Sequence, residues 1–265
     1  MGIDQTALVR LLEDLLFIFP GQPPDVVPLE VVGVRGRVTP LSHPLANLVG
    51  TAPQAERVSD TTIEDVVEVF RSQNKAFGWV TGPSSPPGLG HQLLTHRFAK
   101  IEELVGMVRT ALAKPIVTRP GVRVVEVDSE RKRAFRALFS NAFGRSPDLA
   151  ALMSEVFYFN TRQLMVRNYF AFLGSASDPV GWGSTLYLPN ASVVWLAGAA
   201  TLKEFRHRGI YRGLVARRLA DAQEDGAEAA ILQAARSTVA PICEKMGFTE
   251  IGRQSIYTWE PDVPA

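Results

Sequence analysis

Apolar positions along the chain follow two different periods, and the alternation between them sketches the order of elements. Over 8–19 the apolar residues Leu8, Leu11, Leu12, Leu15 and Leu16 recur at helical spacing, and Pro20-Gly21 ends the run. Ile63, Val66, Val67 and Phe70 predict a second helix over 62–70, while the compact run Ala76-Phe77-Gly78-Trp79-Val80 predicts a short buried strand. The segment from Gly82 to Gly88 is turn chemistry, and 89–98 returns to helical spacing. This first half therefore mixes helix and strand.

Two breaks divide the chain: a proline-rich stretch over 20–28, and Lys114-Pro115-Ile116-Val117-Thr118-Arg119-Pro120-Gly121, which closes a helix and precedes a strand. The second break is the expected boundary between a unit of residues 1–120 and one of residues 121–265. Beyond it the pattern predicts a strand over 122–127, helices over 130–143 and 148–159, and strands over 166–173, 180–188 and 193–202. A helix over 209–223, a strand over 229–233, a helix over 238–246 and a final strand or hairpin over 250–259 complete the series. The second half is an α/β sheet with a strand-loop-helix unit at its centre.

Composition narrows the class without naming it. At 265 residues the chain exceeds one typical domain, and its 46% hydrophobic and 21% charged content is ordinary globular usage, so both halves are expected to fold. A formal net charge of +1 supplies no field toward nucleic acid or an anionic membrane, so neither is an expected partner. The N-terminal helix carries charges and is too short to span a bilayer. Cys243 is the sole cysteine, which excludes an internal disulfide and a cysteine-based metal site. No metal is expected, and the default compartment is the cytoplasm.

The chemistry-bearing segment is Thr201-Leu202-Lys203-Glu204-Phe205-Arg206-His207-Arg208-Gly209-Ile210-Tyr211-Arg212-Gly213-Leu214. A strand here runs into a glycine-containing loop and then a helix, whose first N–H groups lack intrahelical partners and whose dipole is positive, so main chain alone can hold a diphosphate. Gly209 permits close approach, and Arg206, Arg208 and Arg212, with Arg217 and Arg218 further along, offer charge-assisted hydrogen bonds to phosphate. Ile210, Leu214, Val215 and Leu219 recur at helical spacing and would fix the helix on the sheet. The Gly-Lys-Ser/Thr ending of a nucleotide P-loop and the dinucleotide fingerprint are both absent.

Arg206-His207-Arg208-Gly209-Ile210-Tyr211 resembles the coenzyme A pyrophosphate loop of the GNAT (GCN5-related N-acetyltransferase) superfamily, Arg/Gln-x-x-Gly-x-Gly/Ala. A later segment, Ala234-Ala235-Arg236-Ser237-Thr238-Val239-Ala240-Pro241-Ile242-Cys243-Glu244-Lys245-Met246-Gly247-Phe248, resembles that family's strand-helix ending in Lys-x-Gly-Phe. The resemblance covers roughly 122–259 and implies a mixed, mostly antiparallel central sheet flanked by helices, preceded by a smaller degenerate GNAT-like α/β domain. It implies that Ala199, Ala200 and Thr201 pair through main chain with the pantetheine arm of acetyl-coenzyme A. The amides from His207 through Arg208, Gly209, Ile210 and Tyr211 to Arg212 would then hold the pyrophosphate. It also implies direct attack of an amine on the thioester, aided by a base and an acid or oxyanion donor, and it carries an expectation of a homodimer.

Departures from the family pattern bear on the catalytic groups. Tyr211 stands where Gly or Ala is usual, which a main-chain cradle tolerates if the ring points away from the diphosphate. Cys243 stands where many members have a tyrosine acting as general acid, and a free cysteine is most often a small buried hydrophobe. The strand over 193–202 carries no acidic residue. Ser237, Cys243 and Glu155 are the catalytic candidates, with Glu126, Tyr187 and Tyr257 behind them.

In the first half, Trp79-Val80-Thr81-Gly82-Pro83-Ser84-Ser85-Pro86, with Leu89-Gly90, Arg97-Phe98 and His43-Pro44-Leu45-Ala46-Asn47, resembles the leading half of two-part GNAT proteins. No Arg-x-x-Gly-x-Gly/Ala loop occurs before residue 121, so that half is expected not to bind coenzyme A but to wall the acceptor pocket, within reach of His43, Trp79 and His91. The resulting expectation is an N-acetyltransferase acting on a small-molecule or peptide amine. The competing expectation is a catalytically weak or inactive coenzyme A-binding sensor or structural protein.

Overall fold

A computed structural model describes residues 4–18, 25–155, 164–188 and 192–261. In chain order the first half contributes α1 (Gln5–Leu15), β1 (Val27–Pro28), β2 (Val34–Val38), β3 (Leu48–Thr51), α2 (Asp60–Arg71), β4 (Phe77–Thr81), α3 (Leu89–Thr95) and β5 (Ala99–Arg109). The second half contributes β6 (Val122–Val127), α4 (Lys132–Phe143), α5 (Pro147–Met153), β7 (Met165–Leu173) and β8 (Gly181–Tyr187). It continues with β9 (Val193–Trp195), β10 (Ala199–Thr201), α6 (Ile210–Glu224), β11 (Ala229–Ala235), α7 (Ala240–Glu244) and β12 (Thr249–Trp259).

All the strands belong to one sheet, in the order β1-β2-β3-β4-β12-β5-β11-β9-β8-β7-β6, with β10 on β8. Pairing is antiparallel except at β3 with β4 and β9 with β11. Each half contains strand, strand, helix, strand, helix, strand: β2, β3, α2, β4, α3, β5 in the first, and β8, β9–β10, α6, β11, α7, β12 in the second. The last strands are exchanged, since β5 lies between β11 and β12 and β12 lies between β5 and β4. Arg109 of β5 strengthens the exchange by donating to the Met246 and Lys114 carbonyls, thereby fixing the end of α7. The boundary placed at 120/121 falls between β5 and β6, and the division into two units is a reading of this internal repeat.

Two layers of helix cover the sheet. Leu8, Leu12 and Leu15 of α1 share a core with Phe135 and Leu138 of α4, Ala150 of α5, and Val108, Trp195 and Ile231 of the sheet. On the opposite face Met107, Val194 and Leu232 pack with Val215 and Leu219 of α6 and Cys243 of α7. The alternation 107/108, 194/195 and 231/232 is the two-residue period of strands buried on both faces. Trp79 and Phe77 of β4 continue the second layer under α2 and α3. Trp79 is therefore core rather than pocket wall.

The structure corrects several sequence expectations. The apolar run 104–108 belongs to a strand, β5, not to a helix closed by the break at 114–121; pairing on both edges decides between two states that a short apolar run leaves open. Strands β1 to β3 were not anticipated. The stretch 193–202 is two strands rather than one, 250–259 is a single strand, and the part of the 148–159 helix beyond residue 155 lies outside the described residues.

Candidate functional site

A cleft opens where two parallel strands part. Val193 to Trp195 pair with Ala229 to Ile231, and the last bond between them runs from Leu196 N to the Ile231 carbonyl at 2.9 Å. The register against β8 then slips by one residue between Trp195 opposite Leu186 and Ala199 opposite Gly183, a bulge at 196–198. Beyond it β10 remains with β8, whereas Leu232 to Ala235 remain with β5. The edges of β10 and β11 face a gap.

Main-chain directions along that gap follow from the antiparallel ladder. Ser184 N donates to the Gly198 carbonyl at 3.1 Å and Leu202 N to the Val180 carbonyl at 3.0 Å, so the residues in phase with 198 and 202 face β8. Ala199 and Thr201 consequently turn their N–H and C=O groups toward the open edge. Ala200 turns its own toward β8, which removes it from the set of residues able to pair with an extended ligand.

The loop after β10 ends in an uncapped helix. His207 has φ 63° and Gly209 φ 84°, two left-handed residues that point successive amides to one side before α6 begins. The first helical bond is Gly213 N to the Gly209 carbonyl at 2.9 Å, and the amides from His207 to Arg212 have no partner among the described residues. Asp4, Ser59 and Ser146 cap α1, α2 and α5 through their side chains, but α6 has no side-chain cap. A side chain at 209 would also place its Cβ 3.0 Å from that of Arg119. This arrangement leaves a run of open main-chain donors at the start of α6, the geometry by which a helix N-terminus can hold an anion.

The five arginines fall into different roles. Arg208 is exposed and Arg212 half-exposed, with Arg212 bonded at 3.5 Å to the Val117 carbonyl. Arg206 is folded back on the Thr201 carbonyl at 3.4 Å and the Ala142 carbonyl at 3.2 Å. Arg217 pairs with Asp221 at 2.7 Å. Arg218 is 1% exposed and donates to Ser184 O and Thr185 Oγ1 beneath the sheet, so it cannot reach a phosphate at the loop, contrary to expectation. The charge missed in the sequence is Arg119, which packs along Gly209 and reaches the His207 carbonyl at 3.4 Å. Its 88-residue separation from His207 left no local signal.

The catalytic candidates are not brought together. Ser237 is exposed in the turn after β11, at the open end of the cleft. Glu155 is engaged by Arg136 and Lys132. Cys243 is buried in an apolar cluster on α7, and burial pushes its thiol pKa up. Its neighbour is the Tyr211 hydroxyl, 3.4 Å from Sγ. The Tyr211 ring thus runs from the first turn of α6 to α7, and burial pushes its phenol pKa up as well. Of the reserve candidates, Glu126 faces Arg167, Tyr187 donates to Asp225 at 2.7 Å, and Tyr257 lies in the core of the first half.

The first-half motif residues hold structure. Asn47, fully buried, accepts from Thr39 N and Oγ1 and donates to the Leu41 and Ala76 carbonyls, which satisfies its amide and locks the turn entering β3. His43 Nδ1 accepts from Leu45 N at 3.1 Å within that turn, and His91 is exposed on α3. Among the described residues no His/Cys/Asp/Glu group is arranged to hold a metal, and no helix is long and apolar enough to cross a membrane.

These features define an α/β protein with a splayed pair of parallel strands that ends at an amide-lined turn. No protein-family model matches the sequence, and a comparison with curated proteins gives no match. Solved structures are similar in fold. A GCN5-related N-acetyltransferase from Kribbella flavida superposes with a TM-score of 0.68 over 99% of this chain and 97% of that one, at 16% identity. A GCN5-related N-acetyltransferase from Sphaerobacter thermophilus gives 0.62 over 88% and 79%, at 15% identity. A tandem GNAT protein from the clavulanic acid biosynthesis pathway gives 0.60 over 97% and 89%, at 13% identity. The chain has the two-part GNAT fold.

Proposed function

We propose that this chain is an acetyl-coenzyme A-dependent N-acetyltransferase. The observation that carries the reading is the continuity of the β10 edge with the unbonded amides of the α6 turn: a strand-like arm can pair with Ala199 and Thr201 and deliver a diphosphate to the amides 207–212. The residues fit the group, since the turn has two left-handed positions, open donors, and a glycine where a Cβ would press on Arg119. When bound, acetyl-coenzyme A supplies an activated thioester.

The chain's own contribution is positioning. The dipole of α6 and the guanidinium groups of Arg119, Arg208 and Arg212 hold negative charge at the turn. The cleft edge then orients the acyl end toward the face covered by α1, α4 and α5, where Trp195 Nε1 donates to Gln233 Oε1 at 3.1 Å. An amine acceptor, a small molecule or a peptide, enters from that face and attacks directly, with no covalent enzyme intermediate. Ser237 at the cleft mouth is the candidate for orienting the acceptor or its water, whereas Cys243, buried among apolar side chains, and Glu155, held by Arg136 and Lys132, are not positioned to act with it. The protein is proposed to act in the cytoplasm, as a homodimer.

A second reading, a coenzyme A-binding protein without turnover, is favoured by the Tyr211–Cys243 contact, which places a bulky ring between α6 and α7 and leaves the thiol buried in an apolar cluster. Calorimetric titration of acetyl-coenzyme A into wild type and Gly209→Trp, with free thiol followed across a panel of amines, decides between them. Binding abolished by the substitution together with amine-dependent thiol release is expected. Binding without release for any amine supports the second reading, and no binding overturns both.

A further inference from the structure

The last turn of α1 carries Glu13 and Asp14 and no basic residue, and it forms the negative end of that helix's dipole. Beside it lies a cavity of about 420 Å³, where the parallel strands β3 and β4 part after pairing Leu48 to Gly50 with Gly78 to Val80. That volume falls in the range of small-molecule sites. The lining sets the two carboxylates of α1 and the turn at Gly82 and Ser84 beside the apolar surface of Phe17, Ala52 and Val80.

Of the four charged residues in this lining, Asp14 and Arg35 neutralise each other as an ion pair, and Arg10 is exposed to solvent. Glu13 differs from all three. It is only 8% exposed, yet no cationic nitrogen lies within 4.0 Å of its carboxylate among the described residues. Its Oε1 accepts from Ser84 N at 3.0 Å, and the group lies so close over Gly82 that a Cβ there would collide with it. Glu13 Oε2 has no hydrogen bond among the described residues but stays open to solvent. The other recess that Glu13 borders, of about 10 Å³, is too small for a ligand, so the space this oxygen can share is the large cavity. A carboxylate so buried without a counter-charge is costly, and a cation that also donates hydrogen bonds offsets that cost.

We propose that this cavity binds a small organic ammonium ion, whose N–H groups donate to Glu13 Oε2 and whose alkyl part lies against Phe17, Ala52 and Val80. The dipole of α1 and the unneutralised Glu13 set the sign of the ligand, while Asp14 cancels the opposing charge of Arg35. The site belongs to the first half and does not depend on coenzyme binding in the second.

The test is calorimetry and thermal shift on the full chain at neutral pH without coenzyme. The probe is n-butylamine, with n-butanol as the uncharged match, butyrate as the anion and tetramethylammonium as a cation lacking N–H groups. The amine is expected to bind and to raise the melting temperature, and the other three not to, a series that decides the ligand class on wild type alone. Glu13→Gln keeps an acceptor for Ser84 N but removes the charge, so amine affinity should fall about tenfold while the melting temperature equals or exceeds that of wild type. Arg10→Gln is expected to leave amine binding intact or tighter. Absence of amine binding up to about 10 mM, equal binding of any of the three controls, or binding undiminished in Glu13→Gln would overturn the assignment. So would a lowered melting temperature in Glu13→Gln or loss of binding in Arg10→Gln.

Discussion

The Tyr211 hydroxyl lies 3.4 Å from the Cys243 sulfur, joining the first turn of α6 to α7 beside the mouth of the strand cleft. At the position where the GNAT loop pattern carries Gly or Ala, the side chain reaches α7 and packs against the apolar cluster that contains Val194, Leu196 and Met246. A Tyr211→Ala variant is expected to widen the cleft and to bind acetyl-coenzyme A more tightly than wild type. The truncation should also lower stability by about 3 kcal/mol through the cavity it leaves. Calorimetry and urea unfolding measure the two effects, and weaker binding in the variant would mean that the ring supports the cleft instead of narrowing it.

Gly209 and Gly121 both have φ near +84°, but a Cβ at 209 meets Arg119 at 3.0 Å whereas one at 121 meets nothing within 4 Å. Gly121→Ala should cost about 1–2 kcal/mol from left-handed backbone alone. Gly209→Ala should cost more, and the difference isolates the contact with Arg119. Paired chemical denaturation curves read it directly.

Arg218 is expected to be a stability residue with no part in coenzyme binding. Replacing it by Met removes the donors to Ser184 O and Thr185 Oγ1 from a 1% exposed site, stranding buried acceptors. A loss of about 3 kcal/mol is expected, with coenzyme affinity unchanged in the folded fraction.

His43 has its pKa lowered from 6.5 by burial and then by the nearby charge of Arg145. Between its folded and unfolded values the unfolded chain binds more protons, so stability present at pH 7 is lost as pH falls below 6.5. His43→Gln should flatten this part of the stability profile. An unchanged slope in the variant would assign it to other groups.

At alkaline pH the sign reverses in cause but not in outcome. Burial raises Cys243 above 9.0, and Tyr169, Tyr187 and Tyr211 above 10.0, so the folded protein keeps protons that the unfolded chain releases. Stability from these groups is complete below about pH 9 and is lost as pH rises beyond it. Cys243 should resist alkylation at pH 8.5 until the protein is unfolded, which mass spectrometry after iodoacetamide treatment would show.

Much of the fold was legible in the sequence where one element buries one face against its neighbours. The helices α2 and α6 and the strands β6 to β8 fall within a few residues of their apolar patterns, because periodicity reports burial directly. The loop at 206–212 was legible because its need for open amides and a glycine is local. β5 was not, since its apolar run acquires strand character from two neighbours, one of them about 140 residues away in sequence, as Glu250 opposite Met107 illustrates.

Sequence alone determined the mixed class, the internal strand-loop-helix unit and the glycine-containing turn at Gly209, since each depends on properties of residues close together in the chain. Only the tertiary structure decided that β5 and β12 are exchanged, that Arg218 is turned under the sheet while Arg119 covers the loop, and that Tyr211 reaches Cys243. It also gathered Glu13, Gly82 and Ser84 around one cavity. These relationships arise from the closing of one sheet across both halves of the chain, and contacts between such distant residues leave no periodic trace.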